Sequence, residues 1–300
     1  MEIVVLGAGS VGMLIASFLS EFNDRVTLVT RREEQARILN QKGLLRKNLD
    51  GTTTSFKINS STDFPSIPSN TLIIIAVKYI QLTQVYETLH NLDPSIPLLF
   101  LQNGLAHLEE AITLPQQKIA FGSCQFGAER ENDRTVHHRG QGVLKIAVEK
   151  GEVQPFALFL ESPNPLFKVE FVESPESMLF EKALLNCFIN PLTSILEVTN
   201  GVLVENPGTY RLLKNLYKEL MVAFPKEMAR ISFDDIENLC RRTAANTSSM
   251  LGDILNFRPT EIETIVGAVL KKAAKNGGRL PMLETLYLLV LAKEGSGEKM

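Results

Sequence analysis

EIVVLGAGSVGMLIASFLSEF, residues 2–22, joins three signals in a fixed order. Residues 2–7 form a short apolar run of strand character, and residues 10–22 repeat their apolar positions at helical period. Between them Gly7, Gly9 and Gly12 make GAGSVG. A bare G-x-G-x-x-G is a weak signal. Between a strand and a helix each glycine meets a separate need: a tight turn, close approach of backbone to a pyrophosphate, and close helix–strand packing. The helix N-terminus adds unbonded N–H groups and a positive dipole end. Residues Gly7, Ala8, Gly9, Ser10, Val11 and Gly12 therefore read as a dinucleotide cradle rather than a plain glycine turn.

The pattern continues through the first half. RVTLVT (25–30) is a second strand after the turn residues Asn23 and Asp24, and EEQARILNQKG (33–43) is a helix closed by Gly43. TLIIIAVK (71–78) and PLLFLQNG (97–104) are later strands, with the helix-like YIQLTQVYETLHNL between them; KIAFGSCQFGAE and GVLKIAVEKG extend the strand series. Alternating strand and helix imply a mostly parallel sheet with crossover helices, a Rossmann-type α/β unit. From about Ser174 the period becomes helical: ESMLFEKALLNCFINPL, TYRLLKNLYKELMVAFPKEMA, DDIENLCRRTAA, PTEIETIVGAVLKKAAKNG and MLETLYLLVLAKE. The expected organisation is a dinucleotide-binding Rossmann domain over 1–173 and an all-helical domain over 174–300.

The cofactor expectation comes from the end of the second strand. NAD-binding strands end in an acid that holds the ribose hydroxyls, whereas this one ends Val29-Thr30-Arg31-Arg32. A carboxylate there would repel a 2′-phosphate, and Arg31 can pair with one through two charge-assisted bonds. The cofactor read from this is NADP(H), with Arg32 the better candidate for a solvated helix-opening residue. Lys78 and Asn103 follow later strands, on the edge where ligands of parallel sheets bind. Asn before Gly is also ordinary turn chemistry.

Composition narrows the class. With 44% hydrophobic and 22% charged residues the chain has material for a core, and its net charge of -3 carries no nucleic-acid footprint. Met1 runs directly into a strand and the apolar runs are too short to span a bilayer, so the expectation is a cytoplasmic protein without membrane segments. Cys124, Cys187 and Cys240 are odd in number, widely spaced and without CxxC, which points away from zinc or a disulfide framework. His90, His107, His137 and His138 show no metal spacing and read as surface or loop residues; no metal is expected.

In the helical half, Lys182, Asn186 and Asn190 stand at i, i+4 and i+8 of FEKALLNCFINPLTSIL. They share one face of a helix whose other positions are mostly apolar. One ammonium beside two amides suits a small, oxygen-rich substrate, although the same residues could line a helix or dimer contact. Hydride addition to a ketone builds negative charge on oxygen, which a nearby ammonium can stabilise and protonate. Ser248 and Ser249, with N–H groups at a helix start, suit a carboxylate; a plain N-cap is the alternative. Thr260 and Glu263 can be read as a capping box, which would make Glu261 an ordinary first-turn acid.

GAGSVG, VKYIQ, LQNG, FGAE, EKALLNCFINPLTSI with a following NG, SSMLGDI and PTEIETIVG occur in this order over residues 1 to 270. That set resembles the ketopantoate reductases, the 2-dehydropantoate 2-reductases of pantothenate synthesis. The resemblance implies an N-terminal Rossmann domain, a helical C-terminal domain and a site in the cleft between them. It implies that Gly7 to Gly12, Arg31, Lys78, Asn103, Ala128 and Glu261 contact NADP. By the same resemblance Lys182 is the general acid, and Asn186, Asn190, Asn200 and Ser249 hold the substrate. Val266 stands where the family commonly has Asn before the glycine.

The expected partner is a small 2-oxo acid, with no nucleic acid and no membrane, and a homodimer is compatible with the reading. The runner-up is a reductase of another branched 2-oxo acid, and the competitor from another class is a non-catalytic NADP(H)-sensing protein. A sensor has no need of a cationic acid among asparagines; a reductase does.

Overall fold

The computed structural model describes residues 1–65 and 67–297. The chain forms two compact units: Met1–Gln102 with His107–Met178, and Asn103–Ala106 with the chain from Leu179 onward. In chain order the first half contains β1 (Glu2–Leu6), α1 (Ser10–Leu19), β2 (Val26–Val29), α2 (Glu33–Lys42), β3 (Leu44–Lys47), β4 (Thr53–Phe56), β5 (Asn59–Ser61) and β6 (Thr71–Ile75). It continues with α3 (Leu82–His90), β7 (Leu98–Phe100), α4 (Ala106–Ala111), β8 (Ile119–Cys124), β9 (Gly127–Arg130), β10 (Thr135–Gly140), β11 (Val143–Lys150) and β12 (Lys168–Phe171).

Eight of these strands form one sheet in the order β12-β11-β8-β7-β6-β1-β2-β5. Every neighbouring pair is parallel except β8 with β11. Strand order reverses at β1, which has β2 on one side and β6 on the other, so the glycine loop after β1 lies at the topological switch point. A parallel strand covered on both faces reads as a continuous apolar run, and Thr71–Ile75 is buried at every position.

The remaining strands form a second sheet, β4-β3-β10-β9. Helix α1 packs on strands of both sheets, which is why SVGMLIASFL has no charged residue and is buried from Gly12 to Leu19. Periodicity marks no element between Gly43 and Thr71, yet β3, β4 and β5 lie there. The cause is Arg46. It takes an inward position on β3, stacks on the Phe18 and Phe56 rings, and pairs with Glu21, so the alternation is hidden by a buried charge. KIAFGSCQFGAE, which reads as one extended stretch, divides at Gln125–Phe126 into β8 and β9 on different sheets.

The histidine expectation needs correction. His90 is exposed and His137 is paired with Glu131, but His107 and His138 are 0% and 3% exposed. His107 packs against Phe100 and Phe121, and His138 meets Phe18 and Phe126 edge-on. Both serve as aromatic core residues.

The second unit is helical, with α5 (Pro175–Leu196) entering it, then α6 (Val202–Glu205), α7 (Pro207–Ala223), α8 (Pro225–Met228), α9 (Phe233–Arg242), α10 (Ser249–Leu255), a π-helical turn (Glu263–Gly267), α11 (Ala268–Lys275) and α12 (Pro281–Gly297). Its core joins Leu184, Phe188, Leu213, Leu220, Val266 and Leu283. TYRLLKNLYKELMVAFPKEMA, helical in period, breaks at Phe224 because Pro225 has no N–H to continue the ladder. Val266 is fully buried, which accounts for an apolar residue at that position. No helix among the described residues is long and apolar enough to cross a membrane.

Candidate functional site

The glycine loop is fixed by its own packing. Gly7 has φ +109°, and a Cβ on it would lie 2.8 Å from the Ala76 carbonyl carbon. A Cβ on Gly12 would come within 1.8 Å of the Gly7 carbonyl oxygen. Gly9 differs: a Cβ there would meet nothing within 4 Å among the described residues, so its open side faces space that a side chain would fill. This is the division of labour a pyrophosphate requires, and the residues present fit a dinucleotide. Ser10 opens α1, and its Oγ accepts the Arg130 N–H at 3.1 Å. That bond holds β9, and with it half-buried Ala128, beside the start of the helix.

At the end of β2 the two arginines have separate fates. Arg32 is ion-paired with Asp133, whereas Arg31 is exposed and has no ion pair among the described residues. The group that organises this corner is Gln35, which sequence reasoning missed. It is buried on the first turn of α2, where a glutamine ordinarily signals only a helix start. Its Oε1 accepts from the Thr30 hydroxyl at 2.8 Å, and its Nε2 donates to the carbonyls of Ala8 and Asp133, each at 3.1 Å.

Lys78 is half-buried just after β6, and its N–H donates to Gln81 Oε1 at 3.2 Å. Gln102, a second residue sequence reasoning missed, donates to the carbonyls of Ile75 and Val77 and ties the ends of β6 and β7. The next residue, Asn103, groups with the helical unit. Its Nδ2 donates to Glu261 Oε2 at 2.8 Å, and Leu105 N–H donates to the Thr264 carbonyl at 3.2 Å. Gly104 has φ +80°, and a Cβ there would sit 2.0 Å from that carbonyl oxygen, so only glycine permits the contact. The capping-box alternative for this segment is not what forms: Glu294 accepts the Thr260 N–H, and Glu263 accepts the Tyr287 hydroxyl.

On α5, Lys182 and Asn186 are half-buried and Asn190 is buried, so the stripe runs inward along the helix. One turn further, Thr193 back-bonds to the Ile189 carbonyl at 2.8 Å and meets the Ser248 hydroxyl at 2.7 Å. Ser248 is the N-cap of α10, accepting from Leu251 N–H at 3.1 Å. Its neighbour Ser249 is exposed at the first helical position, and the N–H groups of Ser249 and Met250 precede the first intrahelical bond, Gly252 to Ser248. The Thr193–Ser248 link therefore brings the start of α10 to the stripe.

Asn200 reaches the same neighbourhood by another route. Its N–H donates to the Asn246 carbonyl and its Nδ2 to Thr243 Oγ1, while its buried Oδ1 has no hydrogen-bond partner among the described residues. The turn before it uses Glu197 at φ 54°, held by Lys293 at 2.7 Å. Thus the helical unit joins Asn190, Asn200 and Ser249 through Thr193, Ser248 and the 243–246 segment. It separately joins Asn103 with Glu261.

A sheet reversing at a glycine cradle, followed by a helical unit, defines a two-unit dinucleotide-binding protein. The model described as "Ketopantoate reductase PanE/ApbA" matches residues 3–151, and that of its C-terminal part matches residues 176–294. The chain belongs to the ketopantoate reductase family. It is similar to the 2-dehydropantoate 2-reductase of Listeria monocytogenes, at 38% identity over 99% of this chain and 98% of that one. Among solved structures, a probable 2-dehydropantoate 2-reductase of Bacillus subtilis matches with TM-score 0.82 and 30% identity, covering 98% and 100% of the two chains. D-mandelate dehydrogenase with NADH and anilino(oxo)acetate has the same fold, with TM-score 0.84 and 23% identity over 99% and 100%.

Proposed function

We propose that this chain reduces 2-dehydropantoate to (R)-pantoate with NADPH, the step that serves pantothenate and coenzyme A synthesis. The observation that carries the reading is the Lys182–Asn186–Asn190 stripe with the start of α10 linked to it through Thr193 and Ser248. Family membership supports both the cofactor class and the substrate. Hydride is what a reduced nicotinamide supplies when bound. The glycine loop and the α1 N-terminus hold the pyrophosphate, and Arg31 holds the 2′-phosphate. Lys78, Ala128 and the Asn103–Glu261 pair hold the remainder of the cofactor. Asn186, Asn190 and Asn200 orient the substrate hydroxyl and carbonyl oxygens without adding charge beside Lys182. The Ser249 hydroxyl and the adjoining N–H groups receive the carboxylate. The Lys182 ammonium stabilises the charge that develops on the carbonyl oxygen and delivers its proton there.

The fold alone does not choose among 2-oxo acids, so the test is substrate-resolved. NADPH consumption is measured with 2-dehydropantoate and with branched 2-oxo acids that lack its hydroxyl. Turnover with 2-dehydropantoate at the higher kcat/KM supports the proposal. Preference for another acid would favour a sister reductase, and cofactor binding without turnover would favour a sensor.

A further inference from the structure

Arg31 lies just past the last sheet bond of its strand, Thr30 N–H to the Ser61 carbonyl. It is flanked by two anchored residues. On one side, the Thr30 hydroxyl donates to Gln35 Oε1 and also accepts the Arg32 N–H at 3.4 Å, turning the chain through Arg31. On the other side, Arg32 is ion-paired with Asp133, and the Asp133 backbone carbonyl accepts from Gln35 Nε2. Both anchors converge on one amide. That amide is 2% exposed, and its remaining N–H goes to Ala8, inside the glycine cradle.

The orientation of the Gln35 amide is determined by its partners. Two carbonyls require the NH2 end and a hydroxyl occupies the oxygen end, so both N–H groups and the oxygen are engaged. No residue of another chemistry repeats this set. A carboxylate would face two carbonyl oxygens, and an apolar side chain would strand the buried Thr30 and Ala8 groups and the half-buried Asp133 carbonyl.

We propose that Gln35 is a positioning residue for cofactor choice: it sets the place of Arg31 relative to the glycine cradle, and so the preference for a 2′-phosphorylated dinucleotide. This rests on the NADPH reading above. Apart from the Gln35–Ala8 bond, the cradle is held by its own packing: Gly7 on Ala76, Gly12 on Gly7, and Gly7 N–H to the Val29 carbonyl at 2.9 Å. Loss of the amide therefore releases the Thr30–Arg32 segment and the Asp133 turn while the pyrophosphate seat stays in place. A role confined to stability would not separate the two cofactors.

The test uses Gln35→Met, which keeps the length of the side chain, and Thr30→Val, which removes one leg of the clip with little change of shape. Dissociation constants for NADPH and NADH are measured by cofactor fluorescence, and for 2′-AMP by competition, with circular dichroism confirming the fold. For Gln35→Met the expected result is a loss of NADPH affinity roughly tenfold larger than the loss for NADH, with 2′-AMP following NADPH. Thr30→Val should shift the ratio in the same direction by a smaller factor, and it decides the matter if Gln35→Met does not fold. Equal losses for both cofactors, or none, would overturn the proposal. A wild-type protein that does not prefer NADPH would instead remove the cofactor reading on which it rests.

Discussion

Asn103 Nδ2 donates to Glu261 Oε2 at 2.8 Å, joining residues 158 positions apart in the chain. The bond runs to a carboxylate and is partly buried, the setting in which a hydrogen bond contributes more than the neutral average. A double-mutant cycle of Asn103→Ala and Glu261→Ala, read by denaturant unfolding, should give a coupling of about 1–2 kcal/mol. Additivity within a few tenths of a kcal/mol would mean that the two side chains act independently.

Arg31 and Arg32 should behave differently despite being adjacent. Arg31→Ala is expected to weaken NADPH far more than NADH, because Arg31 is exposed and not engaged in an ion pair among the described residues. Arg32→Ala leaves Asp133 without its guanidinium and so adds an uncompensated acid near the proposed 2′-phosphate position. Adding Asp133→Asn to that variant should recover part of the NADPH affinity. Equal losses of both cofactors in Arg31→Ala would make Arg31 a structural residue.

The substrate end is tested by Ser249→Ala and Asn190→Ala. Each should raise KM for 2-dehydropantoate and leave the NADPH dissociation constant unchanged. A lost hydrogen bond to a charged or buried group costs roughly 1.5–3 kcal/mol, or about ten- to a hundredfold in kcat/KM. An unchanged KM in Ser249→Ala would remove the carboxylate assignment.

Much of the fold is legible because its signals are local. Parallel strands covered on both faces leave continuous apolar runs such as TLIII, and the helical half carries its period openly. The second sheet is not legible, since Arg46 holds an inward strand position on β3 and polar Thr54 holds a covered one on β4. Within the candidate site, the spacing of Lys182, Asn186 and Asn190 needs only helix geometry. Thr193–Ser248 and the Gln35 clip cannot be read that way. Gln35 finds partners 5, 27 and 98 residues away, and nothing in its neighbours records them.

Buried His107 makes stability depend on pH. Burial pushes its pKa down from 6.5 to about 3, and neither ring nitrogen has a hydrogen-bond partner among the described residues. Burial, and then the Arg46 charge, moves His138 in the same direction. Below 6.5 the unfolded chain takes up the His107 proton and the folded chain does not. Stability from this source is therefore level above 6.5 and falls toward pH 3, by up to roughly 1.4 kcal/mol per pH unit. His107→Leu should flatten the acid slope of a denaturation series by about that amount. An unchanged slope would mean that His107 titrates normally in the folded protein.

Lys182 is the proposed proton donor, so the most direct measurement is single-site. Steady-state reduction of 2-dehydropantoate by NADPH is compared for the wild-type protein and Lys182→Ala, alongside NADPH binding. The prediction is a fall in kcat of about two to four orders of magnitude with NADPH affinity close to wild type. Turnover of Lys182→Ala at the wild-type rate would contradict it and leave the lysine as a lining residue.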